Sequence, residues 1–405
     1  MKQRFFLLFL SSVVLIPPLF SEQRTLSLEE AIAASLKNHP AVLSSEIEIK
    51  ASQARALRLG AAPNPELVFS NEGIPLRSGR AEREFSLGLR QLVEFPGKRA
   101  LRKAIGQTGE EISATNLERV RLLVITRVKK VYWRASHSEM ALVLLQSILD
   151  TLREYQKMAA IRFEAGEVTS IDVLRGHLEE VRVQNELIEA RRRLQEDKAA
   201  LWLEMGMEIP ADSPLLEKMS FIPFTKGLEE MKGEAEQRPS LRALRQELAL
   251  RETSVKLARK NIYPDLRLGL FYPSLNSSGW GFEMEISIPL WRRAFQGEAR
   301  EAEAIREQSM ISLNAAARRI MNRVESSFAD VRAASDQLVL IEKSLLKDAA
   351  DLLSAGILNY QYGKIESLNL FDIYRMYKES RLEYLRALLN YQLYLAELEA
   401  AGEDQ

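Results

Sequence analysis

Asn38 to Phe69 reads NHPAVLSSEIEIKASQARALRLGAAPNPELVF, and Gln237 to Leu268 answers it with QRPSLRALRQELALRETSVKLARKNIYPDLRL. Pro40 corresponds to Pro239 and Pro65 to Pro264, both 199 positions apart, with 24 residues of helical character inside each proline pair. An acidic residue and a leucine follow the second proline each time, Glu66-Leu67 and Asp265-Leu266. Residue identity is otherwise sparse, so spacing carries the comparison, and it predicts one architectural unit used twice.

After Pro65 the apolar period changes from about 3.6 to 2. Leu67 and Phe69 alternate with Glu66, Val68 and Ser70; past a polar loop holding Gly73, Pro75 and Gly79, the alternation resumes at Phe85, Leu87 and Leu89. The second copy repeats this with Leu266, Leu268 and Leu270, a loop holding Pro273, Asn276 and Gly279, then Phe282, Met284, Ile286 and Ile288. Phe85 and Phe282 lie 197 positions apart, so the register holds with a first loop two residues longer. These four strands are the only ones expected. A soluble sandwich needs more strands, and a barrel closes at about eight. Three chains giving four strands each would close twelve without leaving edges, with the apolar face on lipid. The other reading is a small, half-exposed sheet in a soluble protein.

Two proline-free expanses follow the hairpins, each broken by a glycine: Phe163-Glu164-Ala165-Gly166 and Tyr360-Gln361-Tyr362-Gly363, 197 positions apart. A continuous helix from Pro96 to Gly166 would be roughly 100 Å long at about 1.5 Å per residue, far beyond a globular domain. The chain then turns back through Thr169-Ser170-Ile171-Asp172, where Thr169 and Asp172 have the spacing of a helix cap. Leucine seams flanked by Arg and Glu suggest coiled-coil packing. The hairpins exit through Glu94-Phe95-Pro96-Gly97-Lys98-Arg99 and Pro289-Leu290-Trp291-Arg292-Arg293; aromatic residues beside paired bases suit a membrane–water interface, and a polar turn is the plainer reading. Phe95, Lys98, Arg99, Trp291, Arg292 and Arg293 are therefore the candidate interface anchors.

Composition narrows the class. The 405 residues carry 56 basic and 56 acidic side chains, so no net field points to nucleic acid. With 28% charged and 7% aromatic residues, solvated long helices are favoured over a thick core. No cysteine occurs, which removes disulfides, thiolate metal sites and lipid attachment at a mature N-terminal cysteine. Lys2 and Arg4 ahead of apolar Phe5–Ile16 read as a signal peptide, with a retained anchor as the other possibility. No later run is apolar for long enough to span as a helix, so any membrane span must be made of strands. The expected organisation is a signal peptide at 1–21, a first repeat at 22–209, a linker at 210–224 bearing Pro210, Pro214 and Pro223, and a second repeat at 225–405.

No phosphate loop, HExxH, GxSxG or dinucleotide fingerprint is present, so no catalytic residue and no cofactor is expected. His39 reads as a turn residue, and His137 and His177 as solvated helix positions. Arg191-Arg192-Arg193 reads as a charged helix face, and Tyr374–Leu398 as a packing seam.

The order of signal peptide, helix, Pro-x-Leu hairpin, long helix and glycine tip, all repeated, resembles the TolC family of outer-membrane efflux channels over nearly all of the mature chain. The carrying segments are HPAV…PNPEL with RPSL…YPDLRL, FSLGLRQLVEFPGKR with FEMEISIPLW, and FEAGEVTSIDVL with YQYGKIESLNLFD. The EFPGKR turn is closer to the heavy-metal and multidrug efflux branch than to the protein-secretion branch. The resemblance implies a mainly α fold with a small β part: a homotrimer whose long helical hairpins form a periplasmic α-barrel beneath a twelve-stranded β-barrel in the outer-membrane lipid. It implies a passive exit duct for metal cations or small toxic compounds, served by a periplasmic adaptor and an inner-membrane pump of RND or ABC type. Docking is expected at the tips, at Phe163, Gly166, Tyr360, Gly363 and Lys364. By position the acidic periplasmic gate of relatives falls on Asp172, Asn369 and Asp372, with one family Asp replaced by Asn369. The Arg that latches the closed state in some relatives falls on Ile365, with Lys364 only an approximate substitute. The rival expectation is a soluble periplasmic coiled-coil adaptor or scaffold, which would need a compact β-barrel or lipoyl-like domain that the sequence does not offer.

Overall fold

Pro40 and Pro239 each open a helix, and Pro65 and Pro264 stand just ahead of a strand. In the computed structural model, which describes residues 25–72, 84–210, 214–272 and 279–403, α1 (Leu28–Asn38) starts at a reciprocal cap. Ser27 Oγ accepts from the Glu30 amide at 3.1 Å, and Glu30 accepts from the Ser27 amide at 3.3 Å. Pro40 then sits in the first turn of α2 (Pro40–Gly60), and His39 Nδ1 accepts from the Ala41 amide at 3.1 Å. Pro239 opens α6 (Pro239–Lys260) in the same way. The signal peptide and the loop residues Gly73, Pro75, Gly79, Pro273 and Asn276 lie outside the described residues.

Beyond Pro65 and Pro264 the chain makes one antiparallel sheet from β2 (Glu66–Glu72), β3 (Glu84–Val93), β5 (Leu266–Tyr272) and β6 (Gly281–Ile286), in the order β2-β3-β5-β6. The register puts Leu67 opposite Leu89, Leu89 opposite Leu270, and Leu270 opposite Phe282. Because directly paired residues share a face, one face carries Leu67, Phe69, Leu87, Leu89, Leu270, Phe282, Met284 and Ile286, each about half exposed or more. The opposite face pairs Arg90 with Glu283 at 3.1 Å and Arg267 with Glu285 at 3.3 Å, and joins the Ser70 and Ser86 hydroxyls at 2.6 Å. Within the chain β2 and β6 each have one neighbour, leaving two open edges.

The expectation of four strands is corrected. β1 (Thr25–Leu26) pairs in parallel with β4 (Leu215–Leu216) in a separate two-stranded ladder, too short to show alternation in sequence. Tyr132 clamps it: the buried hydroxyl donates to the Leu26 carbonyl at 2.7 Å and accepts from the Glu217 amide at 3.1 Å. On the other side of the linker the Tyr391 hydroxyl donates to the Ile222 carbonyl at 2.7 Å. The segment after Pro214 is thereby fastened to helices from both halves of the chain.

The long helices follow. α3 (Lys98–Glu164) runs 67 residues unbroken, and α4 (Ser170–Glu204) returns along it. After α5 (Leu228–Glu236), α6 and the second hairpin, α7 (Arg292–Leu340) passes through a π turn at Ile341–Leu345 into α8 (Leu346–Gln361), and α9 (Ser367–Glu399) returns. α2 packs on α3, α3 on α6 and α6 on α7, so the helices keep the lateral order of the strands they feed. Tyr374, Leu385, Leu388, Tyr391 and Leu398 form the buried seam of α9. No described helix is long and apolar enough to cross a membrane. His137 departs from its expected solvated state: it is half-buried, and that burial lowers its pKa.

Candidate functional site

The two hairpin tips are built alike and held together. At the first, the Gly166 amide donates to Phe163 O and the Glu167 amide to Arg162 O, both at 2.9 Å. At the second, the Gly363 amide donates to Tyr360 O at 3.0 Å and the Lys364 amide to Asn359 O at 2.8 Å. Gly166 and Gly363 have φ of +78° and +68°, the left-handed conformation that closes a helix in this way and that glycine alone adopts without strain.

From this geometry Asp172 reaches both hairpins. Its Oδ2 accepts from Thr169 N at 3.0 Å and Thr169 Oγ1 at 2.8 Å, fastening the start of α4. Its Oδ1 accepts from the Ser367 hydroxyl at the start of α9. The Ser367 hydrogen bond, followed by those from Thr169, holds the Asp172 carboxyl below the usual carboxylate range despite opposing burial. A second link runs the other way: Arg162 Nη1 donates to Tyr360 O at 3.1 Å, and the guanidinium lies 5.1 Å over the Tyr360 ring. Arg162 Nε also meets Glu167 at 2.9 Å.

Behind these links is an apolar plug. Tyr155 meets the ring of Tyr374 at 5.0 Å and that of Tyr360 at 6.1 Å, both edge-on, among Leu149, Leu152, Leu370 and Phe371. Burial raises the pKa of all three phenols, so they stay neutral. Further along, Arg375 pairs with Glu179 at 2.8 Å and Lys378 with Glu186 at 2.7 Å, binding α9 to α4.

The expected gate residues are therefore unequal. Asp172 is engaged in the hairpin junction, whereas Asn369 and Asp372 are exposed on α9. Asp372 lies 3.4 Å from Arg375, which connects it to Glu179. Among the docking candidates, Phe163, Gly166, Gly363 and Lys364 are at the surface. Tyr360 is corrected: at 4% exposure it belongs to the plug, because α8 turns it toward Tyr155 and Arg162. The exposed aromatic is Tyr362, at 72%, with the Lys364 ammonium 6.0 Å over its ring. Ile365 packs against the plug, and a cation reaches across the hairpins from the first tip instead, Arg162 to the Tyr360 carbonyl. Arg162 and Ser367 escaped sequence reading, since nothing local marks a residue whose partner is nearly two hundred positions away.

At the other end Trp291 is 80% exposed, and Arg292, Arg293 and Arg99 are exposed as well. Lys98 is corrected as an interface anchor. Its side chain is 7% exposed, and its ammonium is 2.8 Å from both Asp265 Oδ1 and the Tyr263 carbonyl. Phe95 is half-buried, stacked on Tyr263 at 4.5 Å. The second hairpin supplies both partners, so this turn faces inward.

The sequence profile described as outer membrane efflux protein matches residues 31–206 and 233–402. The cobalt-zinc-cadmium resistance protein CzcC of Cupriavidus metallidurans is 22% identical over 370 residues, covering 90% of this chain and 86% of that protein. Among solved structures, CusC superposes with a TM-score of 0.79 at 17% identity, over 97% of this chain and 98% of that one. The open-state MtrE outer membrane channel of Neisseria gonorrhoeae gives 0.78 at 20% identity, over 93% and 88%.

Proposed function

This chain belongs to the outer membrane efflux protein family and is an outer-membrane efflux channel, and from that premise we propose that three copies assemble into the exit duct of a tripartite pump. The observation that carries this reading is the four-stranded sheet with an exposed apolar face and two open edges. Four strands cannot close on themselves, an open edge in lipid leaves backbone groups unpaired, and lipid is the solvent in which such a face is favourable. Three copies close twelve strands, β6 of one against β2 of the next, and bring α7 beside the neighbour's α2 to complete a helical tunnel. The charged sheet face then lines water. The chain is one unit used twice, 22–209 and 225–405, with 210–224 between; the same succession of helix, strand pair, long helix and returning helix on both sides of the linker supports this.

The duct is passive. Its periplasmic mouth is held shut by the junction of the two hairpins, Asp172 with Ser367 and Arg162 with Tyr360, while Asp372, three-fold repeated, gives the mouth a cation-attracting rim. A periplasmic adaptor docking at Phe163, Tyr362, Gly363 and Lys364, coupled to an inner-membrane pump, favours the splayed state by binding it more tightly. Divalent transition-metal cations are the cargo, a reading supported by the likeness to CzcC. Fractionation tests the assembly: a heat-modifiable trimer in outer-membrane fractions is expected, and a soluble monomer would refute it. For the cargo, a strain lacking the channel should become sensitive to cobalt, zinc or cadmium, and unaltered tolerance of all three would remove the metal assignment.

A further inference from the structure

α2 and α3 approach so closely below the sheet that a Cβ on Gly106 would lie 2.7 Å from the Ala56 Cα. Alongside this contact a groove of about 880 Å³ opens, within the roughly 300–1,000 Å³ of small-molecule sites. Its apolar side is Ala56 and Leu57, the latter 78% exposed. Its basic side is Arg99 and Lys103. Arg99 uses Nε on the Gly60 carbonyl at 2.7 Å, and its terminal nitrogens have no partner among the described residues. The Lys103 stem runs along Gly60, and its ammonium has no partner among the described residues. Glu110, at the far end, accepts from Gln53 at 3.0 Å.

Position and direction identify the occupant. Arg99 lies six residues past the end of β3 at Val93, and Gly60 six residues before β2 at Glu66, so the upper end of the groove lies just below the sheet. Lys98 lines the crevice on the charged sheet face with Leu92, Arg267 and Glu285. At about 100° per residue, Arg99, Lys103 and Glu110 sit about 100–140° around α3 from Lys98, so the groove opens on the side of the apolar face. Between α2 and α3 of one chain, it also stays clear of the α7–α2 seam between copies.

We propose that this groove holds the headgroup of an anionic phospholipid of the periplasmic leaflet, its phosphate on Arg99 and Lys103. A guanidinium fork beside an ammonium suits phosphate. The proposal rests on the lipid-facing reading of the sheet.

The test uses the full-length trimer in nonionic detergent, titrated with short-chain phosphatidylglycerol or phosphatidylcholine and read by native mass spectrometry. Wild type is expected to bind phosphatidylglycerol at least about tenfold more tightly. The Arg99→Gln/Lys103→Gln double variant, changed only at exposed positions, is expected to lose that preference while remaining a trimer. Equal affinity of wild type for the two lipids overturns the site, as does an unchanged preference in the variant or displacement of the lipid by millimolar inorganic phosphate. Absence of wild type from the outer-membrane fraction would instead overturn the lipid-facing reading of the sheet.

Discussion

Asp172 accepts hydrogen bonds from both hairpins, so its charge state governs the junction. Its pKa is lowered in the folded protein, so its contribution is fully present above the ordinary carboxylate value of 3.8 and is lost as pH falls through the depressed value. Leak conductance in planar bilayers is therefore expected to be flat from about pH 5 to 8 and to rise only under stronger acid. Asp172→Asn should leak at neutral pH and lose the acid step; a wild-type step near pH 6 would assign control to another group. In the proposed gate Asp372 acts differently, through charge at the rim with Arg375 beside it. Asp372→Ala should weaken divalent block and raise leak conductance, and unchanged block and conductance would remove it from the gate. The family resemblance singled out both aspartates by position just beyond the glycine tips, and sequence reading placed Lys98 and Tyr360 on the surface. Those two failed for one reason: a cation beside an aromatic, or an aromatic before a glycine, looks exposed locally. Asp265 and Arg162, which draw them inward, are more than 160 residues away in sequence.

At the scale of elements, the punctuation was legible because backbone chemistry is local. Pro40, Pro65, Pro239 and Pro264 mark boundaries through steric exclusion, Gly166 and Gly363 through positive φ, and the strands through a period of two. β1 and β4 were not legible, since two residues carry no period and their pairing depends on Tyr132. Tyr132→Phe leaves the Leu26 carbonyl and the Glu217 amide without their buried partner. It should cost about 1–3 kcal/mol in denaturant unfolding of the detergent-solubilised protein. The α2–α3 contact is the other sensitive element. Gly106→Leu would push against the Ala56 backbone, which cannot rotate away as a side-chain end can. A loss of about 1–3 kcal/mol is expected from overpacking, with the helices forced apart. A variant as stable as wild type would show that α2 rides loosely on α3.

For the whole molecule the decisive property is the mismatch between one chain and its surroundings. The repeat, the long hairpins and the two-faced strands were readable from sequence, and the proposed closure by three copies rests on a sheet of four strands with no partner within the chain at either edge. This makes the two sheet faces unequal in a measurable way. Leu89 lies mid-strand, between Leu67 and Leu270 on the apolar face. An arginine there costs about 2–4 kcal/mol if it meets the bilayer midplane. Three copies multiply this to about 6–12 kcal/mol per trimer, comparable to the roughly 5–15 kcal/mol that holds an ordinary domain folded. Leu89→Arg is therefore expected to abolish the heat-modifiable trimer in outer-membrane fractions. Ser70→Gln, on the face that carries the Arg90–Glu283 pair, replaces a polar group by another polar group facing water and should leave the trimer intact. Equal tolerance of both changes would mean that neither face meets lipid. The reverse pattern would put the charged face outward and turn the barrel inside out.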